Sequence, residues 1–124
     1  QNGEVLHMEE PIYGNGYAGR FDLIARLSGI VTLVDFKTSK GIYPSYGWQI
    51  AAYKHAWNSA LTVEPKPSDW VEDTAILRLD KESGEFEYKV TTKDYKHDLE
   101  IMQKYVDLWW LLYAKDLEKE KSNA

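Results

Sequence analysis

The chain has 124 residues, 44% of them hydrophobic and 28% charged, a composition that fits one globular domain and excludes a mainly disordered segment. It contains no cysteine, which excludes disulfides, Cys-ligated zinc and a thiol nucleophile. The net charge of −5 argues against a protein that coats nucleic acid through a basic surface, but not against a nuclease whose carboxylates hold metal ions.

No apolar run approaches the ~20 residues that span a bilayer, and the polar start Gln1-Asn2-Gly3-Glu4 is no signal peptide, so no membrane association is expected. The first residue is not Met, which points to a fragment of a larger parent chain with a leading element missing. The expected setting is the cytoplasm, in a bacterial or phage context.

In chain order, Glu4 to Tyr13 reads as a first strand. Asn15-Gly16 is a turn signal, and Tyr17 to Leu27 reads as a second strand. Ser28-Gly29 turns the chain again into a β-branched third strand, Ile30 to Val34. These three form an antiparallel meander. Gly41-Ile42-Tyr43-Pro44-Ser45 is a loop, and Tyr46 to Leu61 is a helix with Ile50, Tyr53 and Trp57 on its inner face. Glu64-Pro65-Lys66-Pro67-Ser68 is a stiff connection. Val71 to Leu79 and Phe86 to Thr92 read as strands joined through Lys81-Glu82-Ser83-Gly84. From Lys93 the pattern is helical, with Leu99, Met102, Val106, Trp109, Tyr113 and Leu117 as a core stripe, and Lys115 to Lys121 is a fraying end. Trp110 and Leu111 fall off that stripe, which suggests a second contact with a partner domain or a homo-oligomer covering the C-terminal helix. The order βββ-α-ββ-α predicts a single α+β domain over residues 1–124, an α/β sandwich with a central mixed sheet flanked by helices.

The chemistry centres on Tyr17-Ala18-Gly19-Arg20-Phe21-Asp22 and Val34-Asp35-Phe36-Lys37-Thr38. Asp22 is read as lying within the second strand and Asp35 at the end of the third. Each stands six residues from the Ser28-Gly29 turn, so they are expected as cross-strand partners with Cβ atoms roughly 5 Å apart. Opposed carboxylates in an apolar surround (Phe21, Leu23, Val34, Phe36) repel one another, and a hard divalent cation, Mg²⁺ or Mn²⁺, relieves that repulsion. Lys37 falls on the same strand face as Asp35. Such a group suits phosphodiester hydrolysis: the metal acidifies a water and neutralises charge on phosphorus, and Lys37 orients the water or stabilises the charge. The Phe36 carbonyl adds a possible ligand. Gln49 and Tyr53, four apart on the helix, share one face. Gln49 can hold a base, a phosphate or the water, and Tyr53 a phosphate. Tyr43 and Tyr46 either stack on bases or pack.

Gly19-Arg20-Phe21-Asp22, Asp35-Phe36-Lys37-Thr38 and Gln49-Ile50-Ala51-Ala52-Tyr53 together resemble the PD-(D/E)XK nuclease superfamily, in particular its RecB-like exonuclease branch, which reads G-x-x-D, D-[YF]-K-T and Q-x-x-x-Y. The resemblance covers Tyr17 to Tyr53, about a third of the chain. It implies a restriction-endonuclease-like core and Mg²⁺- or Mn²⁺-dependent cleavage of DNA, often from ends and on single strands. By position, Asp22, Asp35 and the Phe36 carbonyl would be metal ligands, Lys37 catalytic, and Gln49 and Tyr53 supporting residues that bind substrate. The family's leading helix, with its His or Glu, has no counterpart in this sequence, where the upstream carboxylates are Glu4, Glu9 and Glu10. The competing readings are a catalytically inactive DNA-binding or scaffolding module of the same fold, and an endonuclease of the same superfamily.

Overall fold

A computed structural model describes residues 3–61 and 67–122. It is an α+β domain built on a mixed sheet of five strands. The strands are β1 (Gly3–Met8), β2 (Pro11–Gly14), β3 (Tyr17–Arg20), β4 (Leu23–Leu27), β5 (Ile30–Lys37), β6 (Asp73–Leu79) and β7 (Phe86–Val90), and the α-helices are α1 (Pro44–Ala60) and α2 (Tyr95–Ser122). The main sheet runs β1-β4-β5-β6-β7, while β2 and β3 pair separately as a hairpin. Only β5 and β6 are parallel, as expected when a helix forms the crossover between them.

Two of the expected strands are each broken in two. The first ends at Met8 and resumes at Pro11; the second breaks at Phe21-Asp22. The breaks fix one another: Glu9 N–H donates to the Asp22 carbonyl and Phe21 N–H to the Glu10 carbonyl. Glu9 takes a positive φ of 49° to make the corner. The Arg20 guanidinium also donates to the Glu9 carbonyl. As a result the β2–β3 hairpin leaves the sheet and folds over α1, where the Tyr17 hydroxyl donates to the Ala52 carbonyl at 2.9 Å. The third strand is longer than expected and runs through Lys37, which places Asp35 inside it.

Pro44 opens α1 at its first turn, where its missing N–H costs nothing and its φ is already helical. Ile50 and Ala56 pack with Phe21, Ile24, Leu33 and Val71 in the core, and Ala51 and Ala52 are buried as well. Asn58 is buried, and its amide both donates to and accepts from the Val71 backbone at 2.9 Å, copying a strand pairing where the chain returns to the sheet. Of the expected stiff connection, Glu64, Pro65 and Lys66 lie outside the described residues.

The C-terminal helix departs from its expected stripe. Leu99 and Met102 are half-buried and Val106 is buried, but Trp109 and Tyr113 are exposed. The side chain of Leu117 lies outside those described. The helix extends through Ser122. The cause of the exposure is length: α2 has 28 residues and spans about 42 Å, while α1, its neighbour, has 17 and spans about 25 Å. Beyond Val106, Trp110 still reaches the body, its indole N–H donating to the Gly16 carbonyl at 2.6 Å. No helix among the described residues is long and apolar enough to cross a membrane.

Candidate functional site

The site sits where β5 emerges beyond the end of β4, under the β2–β3 hairpin and beside α1. The Ser28-Gly29 turn has φ of 51° and 85°, as a two-residue hairpin turn requires, and it sets the register Leu27–Ile30 through Leu23–Val34. One step further along that register stand Asp22 and Asp35. Asp22 is not in a strand, as first expected. It lies in the break between β3 and β4, and its freedom from the ladder lets its side chain turn inward. Its Oδ2 accepts the Phe36 N–H at 2.7 Å.

Asp35 is 5% exposed. Its Oδ2 is fully buried and receives no well-angled hydrogen bond, although Lys37 Nζ lies 3.0 Å away as an ion-pair partner. Burial is the main cause that pushes the Asp35 carboxyl up to about 6, aided by the hydrogen bond and charge of Asp22 and opposed by Lys37. The two acids therefore lie within hydrogen-bonding reach, and near neutrality their charges compete.

Lys37 is directed by α1. Its ammonium donates to Gln49 Oε1 at 3.1 Å and lies 4.8 Å from the centre of the Tyr46 ring. Arg78, in register with Lys37 on β6, donates to the Ser39 carbonyl at 3.0 Å and ties down the loop that follows β5. Tyr53 reaches the site from the next turn of α1. Its phenol is raised above its ordinary value first by burial, then by Asp35 and Asp22, with Lys37 and the Arg20 backbone opposing. The Tyr53 hydroxyl lies so close to Gly19 that a Cβ there would sit 2.5 Å from it. Gly19 is thus small because the phenol occupies the space a side chain would need.

The six sequence-selected positions therefore gather in one place. The Phe36 side chain is exposed, but its backbone faces the site: its N–H meets Asp22, and in extended chain the carbonyl leaves on the same edge, where β4 has already ended. Sequence reasoning gave Gly19 no physical role and did not foresee that Gln49 would hold Lys37. His7 lies between Glu10 at 2.6 Å and Asp69 at 3.1 Å.

A divalent cation fits this donor set. Asp35 Oδ2 is a buried oxygen lacking a hydrogen bond, beside a second carboxylate and a free backbone edge. Mg²⁺ commonly takes only one or two carboxylates and completes its shell with water and phosphate oxygens. Among the described residues no cluster of three or more His, Cys, Asp or Glu adds to the pair. No protein-family model matches the chain, and no curated protein is significantly similar to it.

Proposed function

We propose that the chain is a metal-dependent phosphodiesterase acting on DNA, an exonuclease of the RecB-like PD-(D/E)XK type. The observation that carries the reading is the buried, hydrogen-bond-deficient Asp35 carboxylate set against Asp22 with the Lys37 ammonium at 3.0 Å. The juxtaposition of two acids at a buried position does not stabilise a fold, even with Lys37 beside Asp35.

Asp22, Asp35 and the Phe36 carbonyl would hold Mg²⁺ or Mn²⁺. When bound, the ion polarises phosphoryl oxygens and makes water acidic enough to attack at neutral pH. Lys37 supplies a fixed positive charge to the phosphoryl group as negative charge builds on it. Gln49 and the Tyr46 ring keep that ammonium directed into the site. Tyr53 offers a phenol hydrogen bond to a neighbouring phosphate. The same reading sets the chain in a bacterial or phage cytoplasm.

The test is incubation with linear and circular DNA, with and without Mg²⁺ or Mn²⁺, for the native chain, Asp35→Asn and Lys37→Met. The expected result is metal-dependent loss of linear DNA, reduced on the order of 10²–10³-fold by Lys37→Met and abolished by Asp35→Asn. Fragmented circles would assign an endonuclease instead. Intact DNA that all three proteins still bind would overturn the enzymatic reading in favour of a binding module.

A further inference from the structure

The side of the sheet away from the helices carries a pattern at odds with a solvent-facing surface. In β7 the residues that point toward α1 and α2 are charged: Glu87 pairs with Arg78 at 3.3 Å, and Lys89 lines a cavity with Pro44, Gly47 and Asp98. The alternate residues Phe86, Tyr88 and Val90 point the other way and are exposed, Phe86 by 75%. An edge strand of a sheet covered on one face normally does the reverse, with apolar residues inward and charges outward.

The same rows continue across the face, whose centre (Ala75, Val34, Thr32 and Ala25) is buried between exposed apolar flanks. In register beside Phe86, Tyr88 and Val90 lie Leu79, Leu77 and Ala75, then Phe36, Val34 and Thr32. Beyond them come Leu23 and Ala25, and at the far edge Met8 (57% exposed) and Val5 (59%). Asp73, at one corner, is the only charged residue in these rows among the described residues. Exposed apolar patches of this extent mark a contact surface.

We propose that this face is a self-association surface, on which a second copy of the chain stacks sheet to sheet. Area argues for that occupant. Val5, Met8, Ile30, Phe36, Leu79, Phe86, Tyr88 and Val90 are each at least 40% exposed. With the aromatics at roughly 150–250 Å² when fully uncovered and the aliphatics less, they present several hundred Å². A standard stable interface takes about 800 Å² from each partner. The patch is nearly uncharged, so it can complement itself under a two-fold axis, and two such faces pack about 10 Å apart. Stacking also places no opposed charges between two chains that each carry −5. This inference does not depend on the nuclease reading.

The experiment is light scattering during gel filtration, on the native chain and on Phe86→Lys/Tyr88→Lys, with Lys89→Gln on the opposite side of the same strand as control. Circular dichroism checks that each is folded, and Val5→Lys, on the far edge, is a second variant should the double one unfold. The native chain and Lys89→Gln are expected at the mass of two chains. The face variants are expected at the mass of one, with at least a hundredfold weaker dimerisation. A native chain that is monomeric at tens of micromolar overturns the proposal. So does a dimer that survives the face variants and is split by Leu108→Lys/Leu112→Lys on α2.

Discussion

Replacing Asp35 by Asn separates what the site costs the fold from what it does. The carboxyl is raised from 3.8 to about 6 in the folded chain, chiefly because burial opposes its charge. Below the lower value it is protonated in both folded and unfolded chains, and the wild type has no charge penalty. As pH rises from there to about 6, the unfolded chain loses its proton first, so native stability falls. Above about 6 the loss is complete. At ~1.4 kcal/mol per unit it amounts to about 3 kcal/mol. Asn is a near-isostere of the neutral acid, and its amide can give Asp22 the hydrogen bond that the protonated form gives. Without divalent metal, Asp35→Asn is therefore expected to be the more stable protein at about pH 8, by about 3 kcal/mol. For a chain of this length that is on the order of 10 °C in melting temperature. The advantage should be mostly lost by about pH 4 and absent well below 3.8. Thermal melts across that range in a chelating buffer read both. A difference that does not change with pH, or a variant less stable than wild type at the alkaline end, would refute the reasoning.

Gly19→Ala should lower stability by roughly 1–3 kcal/mol, because its Cβ must displace the Tyr53 ring. Combining it with Tyr53→Phe, which removes the nearest atom, should give a smaller loss than the two single changes together, measured by urea denaturation. Asn58→Ala leaves the Val71 N–H and carbonyl unpaired in a buried place, and a loss of roughly 2–4 kcal/mol is expected in the same assay. Gln49→Leu frees the Lys37 ammonium from its hydrogen bond without touching the carboxylates. DNA turnover should fall by roughly 10–100-fold with little change in melting temperature; equal turnover would remove Gln49 from the site.

Much of the site was readable from the chain because it depends on short-range geometry. Ser28-Gly29 fixes a two-residue turn, and a two-residue turn fixes which residues stand opposite one another, so Asp22 and Asp35 could be paired by counting outward. What counting could not show was the corner at Glu9 and Phe21-Asp22. Its positive φ falls on a glutamate, with no glycine to signal it, and it is held by hydrogen bonds between segments a dozen residues apart. That corner is what frees Asp22 from the strand. The Lys37–Gln49 contact and the pressure of Tyr53 on Gly19 likewise arise only when α1 is laid on the sheet. For α2, periodicity identified the inner stripe but not where the supporting body stops, so Trp109 and Tyr113 were assigned to a core that does not reach them.

The most direct test of the central claim is a calorimetric titration with Mn²⁺ at about pH 8, above the raised value of Asp35. Wild type should bind one ion and melt at a higher temperature when it does, while Asp22→Asn and Asp35→Asn, both folded, should neither bind it nor respond. Mn²⁺ binding that is absent from the wild type, or unchanged in the two variants, would show that the paired carboxylates are not a metal site.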